Sequence, residues 1–232
     1  MNVAIIAAAG QGTRMAGERP KQFLELAGTP IIFHTLQAFE RCDSIQEIIV
    51  VIPAAESAGF LSLANKHSLR KLSKVVPGGT TRAESVLCGL RAVRETTVDI
   101  VAVHDGVRPF VTPEEIARTI AAAQEAGAAV LVSSPVDTVK EVRDGAVVRT
   151  LRRGELRNAL TPQCFRYSLL RRAYEEADVT EPELTDDSSL VERLGQRVAI
   201  VEGSARNIKI TCPEDLTVAE VLLKEMSFEP GG

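Results

Sequence analysis

A mostly parallel α/β sheet flanked by helices is predicted by three observations. Six short runs are continuously apolar and rich in β-branched residues: Val3–Ala7, Ile48–Ile52, Val75–Val76, Ile100–Val103, Val130–Val132 and Val198–Val201. Between them, Ile31–Cys42, Thr81–Glu95, Pro113–Glu125 and Phe165–Glu176 carry apolar residues at helical spacing. A glycine-containing turn follows directly on the first run. Runs that are apolar throughout, not alternating, fit parallel strands covered on both faces. Their alternation with helices implies right-handed crossovers.

The first run leads into Ala8-Ala9-Gly10-Gln11-Gly12-Thr13-Arg14-Met15 and then Arg19-Pro20-Lys21. Glycines after a strand let backbone approach a ligand and turn N–H groups toward it. No Gly-Lys-Ser/Thr follows, so this is no Walker loop, and Met15 occupies the third glycine position of a dinucleotide fingerprint. A Gly-x-Gly pair alone reads equally as a plain turn. The cations Arg14 and Lys21 on the same loop point instead to a nucleoside triphosphate.

After the third run, Pro77-Gly78-Gly79 precedes Thr80, Thr81, Arg82 and Ser85 at a helix start. One reading is a turn with Thr80 or Thr81 as N-cap. The other is backbone plus the Ser85 hydroxyl reading a base edge or a phosphate. The fourth run ends in His104-Asp105-Gly106-Val107-Arg108-Pro109. A carboxylate at the end of a buried strand is costly unless paired or metal-bound. Asp105 is therefore the natural Mg²⁺ ligand of a triphosphate site, or the partner of Arg108 three residues on. His104 reads as a packed or hydrogen-bonded side chain, not a catalyst.

Thr112-Pro113-Glu114-Glu115 is an N-cap followed by Pro and acids, opening the helix to Glu125. Asp137 to Arg153 breaks the pattern: two strand-like arms surround Arg143-Asp144-Gly145, a hairpin signal because both turn positions need positive φ. A long, half-apolar hairpin is weakly stable alone, so it is expected to project as an arm onto a second subunit or to fold back on its own domain. Thr161-Pro162-Gln163, Thr185-Asp186-Asp187 and Asn207-Ile208-Lys209-Ile210-Thr211 lie between elements. Each alone reads as a turn or cap, and Lys209 in a strand-like run would point outward. A last helix runs from about Pro213 to Met226.

With 232 residues and no linker or repeat, the chain is expected to form one domain over 1–232, with the arm at about 137–153. Hydrophobic content of 45% and charged content of 25% suit a globular protein and exclude disorder and coiled coil. Net charge −4 with no basic block argues against nucleic-acid binding. Cys42, Cys88, Cys164, Cys212, His34, His67 and His104 lack zinc-ligand spacing. No apolar run is long enough to span a membrane, and Met1–Gly10 lacks the basic start of a secretory signal, so a cytoplasmic location with reduced thiols is expected.

Taken together, Ala8-Ala9-Gly10-x-Gly-Thr-Arg-Met…Pro20-Lys21-Gln22, Pro77-Gly78-Gly79-x-x-Arg82-x-x-Ser85-Val86, His104-Asp105-x-x-Arg108-Pro109, Thr161-Pro162-Gln163, Thr185-Asp186-Asp187 and Asn207-Ile208-Lys209 closely resemble, in order and spacing, the 2-C-methyl-D-erythritol 4-phosphate cytidylyltransferases. The likeness runs from Val3 to about Glu225. It departs at Ser188, commonly alanine, and at Gly106-Val107, usually two alanines. The resemblance implies a Rossmann-like fold with a protruding β-hairpin arm, and transfer of a cytidylyl group from CTP to methylerythritol phosphate with Mg²⁺. It implies that Arg14, Lys21 and Lys209 bind the CTP triphosphate and stabilise the transition state. Ala8, Ala9, Gly10, Gly12, Gly78, Gly79, Arg82, Ser85 and Asp105 would bind CTP, with Asp105 also near the metal. The second substrate would meet Asp105, Arg108, Thr138, Arg153, Thr161, Thr185 and Lys209, and the arm would interlock a homodimer. A ribitol 5-phosphate cytidylyltransferase is the nearest alternative. A non-catalytic nucleotide binder and an NAD-dependent oxidoreductase fit the cations and Met15 less well.

Overall fold

The computed structural model describes residues 1–10, 20–94, 97–181 and 184–228. In chain order its strands are β1 (Asn2–Ala7), β2 (Glu25–Leu26), β3 (Thr29–Pro30), β4 (Glu47–Ile52), β5 (Leu72–Pro77), β6 (Ile100–Asp105), β7 (Ala128–Ser133), β8 (Lys140–Arg143), β9 (Ala146–Thr150), β10 (Asn158–Arg166) and β11 (Ala199–Glu202). Its helices are α1 (Ile31–Arg41), α2 (Ser57–Ala64), α3 (Arg82–Ala92), α4 (Pro113–Ala126), α5 (Tyr167–Glu176), α6 (Asp187–Arg193) and α7 (Pro213–Phe228).

Seven strands form one sheet in the order β11-β7-β10-β6-β1-β4-β5. The pairs β1–β4, β1–β6, β4–β5 and β7–β11 are parallel; β10 runs antiparallel to β6 and β7. All six predicted runs are strands of this sheet. Successive side chains of a strand face opposite ways, so Ala4 and Ile6 pack with Ile32, Leu36, Ile116 and Ile120 of α1 and α4, while Val3 and Ile5 pack with Val86, Leu90 and Leu170 of α3 and α5. Both faces are covered along β1, β4, β6 and β7, which is why those runs carry no polar alternation, whereas the edge strands β5 and β11 are only partly covered and Ile200 is exposed.

The strand β10 departs from expectation. Its sequence, NALTPQCFR, is neither apolar nor alternating, and its ladder shifts register between Ala159 and Gln163. The helix expected from Phe165 begins at Tyr167, because Phe165 belongs to the strand. Topology then places the site. The chain leaves β1 toward β4 and β5, then returns to β6 on the other side of β1. The carboxyl ends of β1 and β6 flank that reversal, where open α/β sheets bind ligands.

The predicted Asp-Gly hairpin is present as a separate two-stranded sheet, β8 with β9, and φ is 49° at Asp144 and 77° at Gly145. It exposes Val142, Val147 and Val148. Among the described residues no helix is long and apolar enough to cross a membrane, and no three His, Cys, Asp or Glu side chains group as a metal site.

Candidate active site

At the end of β1, residues Ala8 to Gly10 cross two other turns at contact distance. A Cβ on Gly78 would lie 2.1 Å from Ala9 Cβ, and one on Gly106 would lie 2.7 Å from Ala8 Cβ. A Cβ at either position would push the first turn away, so the close approach of the turns after β5 and β6 rests on glycine in this chain. Gln22 holds the turn from beneath, its amide donating to Ala8 O at 2.6 Å and Gly10 O at 3.2 Å. A cavity of about 150 Å³ opens here, bordered by Ala8, Ala9, Gly10, Lys21, Gly79 and the start of α3.

The start of α3 is capped by its own residues. Thr81 accepts from Glu84 N at 3.0 Å, and Glu84 accepts in return from Thr80 N at 2.6 Å and Thr81 N at 3.0 Å, a capping box that decides between the two candidate threonines. Ser85 lines the cavity but spends its proton on Thr81 O at 2.8 Å, so its hydroxyl can only accept from a ligand.

Arg82, Asp105 and Lys209 stand on the wall between this cavity and a second one of about 230 Å³, lined also by Arg108, Thr161, Gln163, Thr185 and Asp186. Asp105 Oδ1 pairs with Arg82 Nε at 2.9 Å, and its Oδ2 with Lys209 Nζ at 2.8 Å and Arg108 Nε at 3.7 Å. The Arg108 partner predicted from spacing is thus the farthest of three. Burial opposes ionisation of Asp105, but Arg82 and Lys209 outweigh it and hold the carboxyl far below the usual carboxylate range. Lys209 lies in no strand, so no alternation turns it outward; the bond from Ile210 N to Val107 O, 3.0 Å, fixes its segment beside β6. Arg108 is buried, which lowers its affinity for its proton, and donates to Asn207 O at 2.8 Å. Its Nε has no hydrogen-bond partner among the described residues.

His104 is a structural group. Burial first of all, and then Arg108 and Arg82, lower its pKa to about 3. The neutral ring meets Thr161 Oγ1 at 2.9 Å through Nδ1 and Arg108 O at 3.2 Å through Nε2. Thr161 Oγ1 accepts from Asp105 N at 3.2 Å, so its own proton goes to His104. What Thr161 offers the second cavity is an acceptor, not a donor. Ser188 donates to Asp186 at 2.8 Å, a bond that the family's usual alanine cannot make.

Of the expected site residues, Ala8, Ala9, Gly10, Lys21, Gly79, Arg82, Ser85 and Asp105 border the first cavity, and Arg108, Thr161, Thr185 and Lys209 the second, with Arg82, Asp105 and Lys209 on both. Gly78 lies behind the first, against Ala9 and Ser85. Gly12 and Arg14 lie outside the described residues. Thr138 and Arg153 line neither cavity. Both are exposed at the base of the hairpin, and Arg153 donates to Val136 O at 2.6 Å. Sequence reading passed over Gln22 as a brace, Gln163 as a clamp on α6, and Tyr174 altogether. The first two sat inside quoted motifs; Tyr174 had no signal beyond helical spacing.

The chain matches the family model described as 2-C-methyl-D-erythritol 4-phosphate cytidylyltransferase over residues 2–225. It is 46% identical to the cytidylyltransferase of that name from Geobacter metallireducens, with 96% of this chain and 97% of that protein covered. It is 45% identical to the one from Pelotomaculum thermopropionicum, with 95% and 93% covered. The crystal structure of 4-diphosphocytidyl-2C-methyl-D-erythritol synthase from Anaerococcus prevotii superposes with a TM-score of 0.86 at 34% identity, covering 97% of this chain and 96% of that one. The Thermus thermophilus cytidylyltransferase gives 0.76 at 36% identity, covering 95% and 98%. A match of this extent, over a sheet and cleft that place the motif residues together, means that the chain belongs to the 2-C-methyl-D-erythritol 4-phosphate cytidylyltransferase family.

Proposed function

We propose that this chain transfers a cytidylyl group from CTP to 2-C-methyl-D-erythritol 4-phosphate, releasing pyrophosphate and 4-diphosphocytidyl-2-C-methyl-D-erythritol. The observation that carries the reading is the shared wall of the two cavities, where Arg82, Asp105 and Lys209 stand between a backbone-lined pocket and a side-chain-lined one. Among the described residues lining the cleft, Lys21, Arg82, Arg108 and Lys209 outnumber the carboxylates Asp105 and Asp186. That balance suits two phosphorylated substrates.

An oxygen of the alditol phosphate forms the new bond to the α-phosphorus of CTP, and the bond from that phosphorus to the bridging oxygen breaks as pyrophosphate leaves. The nucleophile is already ionised, so no general base is needed, in keeping with the neutral, buried His104. The catalytic burden is to bring two anions together and to meet the charge that develops. Lys21 and Lys209, with Arg14, meet it. The amides of Ala8 to Gly10 and the Gly78–Gly79 turn, with Gly12 and Ser85, hold the nucleotide in a slot too tight for a purine. Arg108, which borders the second cavity, suits the alditol phosphate, with Thr161 and Thr185 beside it.

Asp105 supplies the carboxylate that would hold Mg²⁺. Among the described residues it is the one carboxylate bordering both cavities, and each of its oxygens already faces a cation. This fits a cation carried mainly by triphosphate oxygens with a single protein carboxylate. When bound, the ion would neutralise phosphate charge.

The exposed valines of β8 and β9 support a homodimer through the hairpin. Thr138 and Arg153, which line neither cavity of their own chain, would then serve the partner's second cavity. Charging the patch with Val142→Glu and Val147→Glu should give a monomer by sedimentation and abolish turnover; a fully active monomer removes this part of the reading. The main test is pyrophosphate release with CTP and methylerythritol 4-phosphate, beside ribitol 5-phosphate and an ATP control. Release only with the first pair is expected. Release only with ribitol 5-phosphate keeps the chemistry and overturns the substrate.

A further inference from the structure

The ion pairs of the cleft continue inward to residues that border neither cavity. Asp187, at the start of α6, is 0% exposed. Its carboxylate accepts from Tyr174 Oη of α5 at 2.5 Å and from Arg82 Nη2 at 2.8 Å. A buried carboxylate is tolerated only when paired and hydrogen-bonded, and these two partners supply both needs. Its position is set in turn by Gln163 of β10, whose Oε1 accepts from Asp187 N at 3.0 Å and Ser188 N at 2.9 Å. Burial, and then the Asp187 charge, raise the Tyr174 hydroxyl well above its ordinary range, so it stays a donor at neutral pH.

Arg82 thus sits between two carboxylates, Nε on Asp105 and Nη2 on Asp187. A guanidinium is a rigid planar fork. Fixing two of its nitrogens fixes the plane and aims the third, Nη1. Asp105 in turn anchors Lys209.

We propose that Tyr174 and Asp187 are positioning residues for cytidylyl transfer, holding the plane of Arg82 and, through Asp105, the placement of Lys209. The assignment deepens the function proposed above and rests on it for the reaction that is read. A mere tie between α5 and α6 would cost stability without a signature at Arg82.

Two readouts separate these cases. Tyr174→Phe deletes one hydroxyl and keeps the ring; Asp187→Asn deletes the charge at constant shape. Each is expected to lower kcat for pyrophosphate release about tenfold or more, with KM for CTP within about twofold, as when the support of a site residue is removed. In an Arg82→Ala background neither change should lower kcat further, because its target is gone. An unaltered kcat in Tyr174→Phe, or losses that multiply in the double variant, overturns the proposal. Should Asp187→Asn fail to fold, Tyr174→Phe carries the test. Independently of turnover, the Arg82 Nε–H nitrogen resonance, assigned by its loss in Arg82→Lys, should shift in Tyr174→Phe. An unmoved resonance overturns the positioning role. A shifted resonance in a protein that never releases pyrophosphate overturns the reaction and leaves Arg82 positioning standing.

Discussion

The two cavities of the cleft are built from different material. The one beside β1 is walled largely by main chain, brought close by glycines at 78 and 106 and braced by Gln22. The one beside β10 is walled by side chains whose places depend on ion pairs between distant segments. The first can recognise a shape it has preformed; the second holds charge in a network whose members fix one another. Substitutions should therefore fail in different ways on the two sides, and worst on the wall they share.

The largest effect is expected on that wall. Lys209→Ala should lower kcat for pyrophosphate release by about a hundredfold or more, with little change in melting temperature; a loss of stability like a core variant's would show Lys209 to be structural. Lys21→Ala should behave likewise. Next comes Gly78→Ala. A Cβ there meets Ala9 at 2.1 Å, so the turn must shift, at about 1–3 kcal/mol of stability, raising KM for CTP and sparing KM for the alditol phosphate. Equal change in both would erase the contrast between the cavities. Arg108→Lys tests the other side: losing the planar fork should raise KM for the alditol phosphate about tenfold while CTP is unaffected.

The sheet was legible because burial on both faces leaves an unbroken apolar record in β1, β4 and β6. The strand β10 left none, since its Thr-Pro-Gln segment serves the site and not the core. In the cleft, glycines and cations after β1 could be read directly, whereas the partners of Asp105 could not. Spacing within one turn offered Arg108; the shorter contacts come from Arg82 and Lys209, 23 and 104 positions away. Tyr174 and Asp187 meet only after α5 and α6 have packed. Lys209 read as outward-facing because its strand-like residues form no strand.

Two smaller effects sharpen the contrast between charge and packing. The folded protein keeps His104 neutral down to about pH 3, whereas the unfolded chain takes up that proton near its ordinary value of about 6.5. Between these limits the unfolded state binds more protons, so stability must fall as pH drops below about 6.5. Urea midpoints from neutral to mildly acid pH should show this slope, and His104→Gln should flatten it. Smallest of all, Ser188→Ala removes one of several bonds to Asp186, which keeps Gln163 and Ser189 N. A loss of about 1 kcal/mol or less is expected by chemical denaturation.

The pairing of Asp105 with Lys209 also sets an order of events during synthesis. A ribosome delivers β1, β6 and Arg82 well before it delivers the segment that ends in Lys209 and α7. Through that interval Asp105 has Arg82 but lacks its second partner, and the wall between the cavities is missing its ammonium. The nascent chain can thus assemble most of its sheet before it owns a complete cleft.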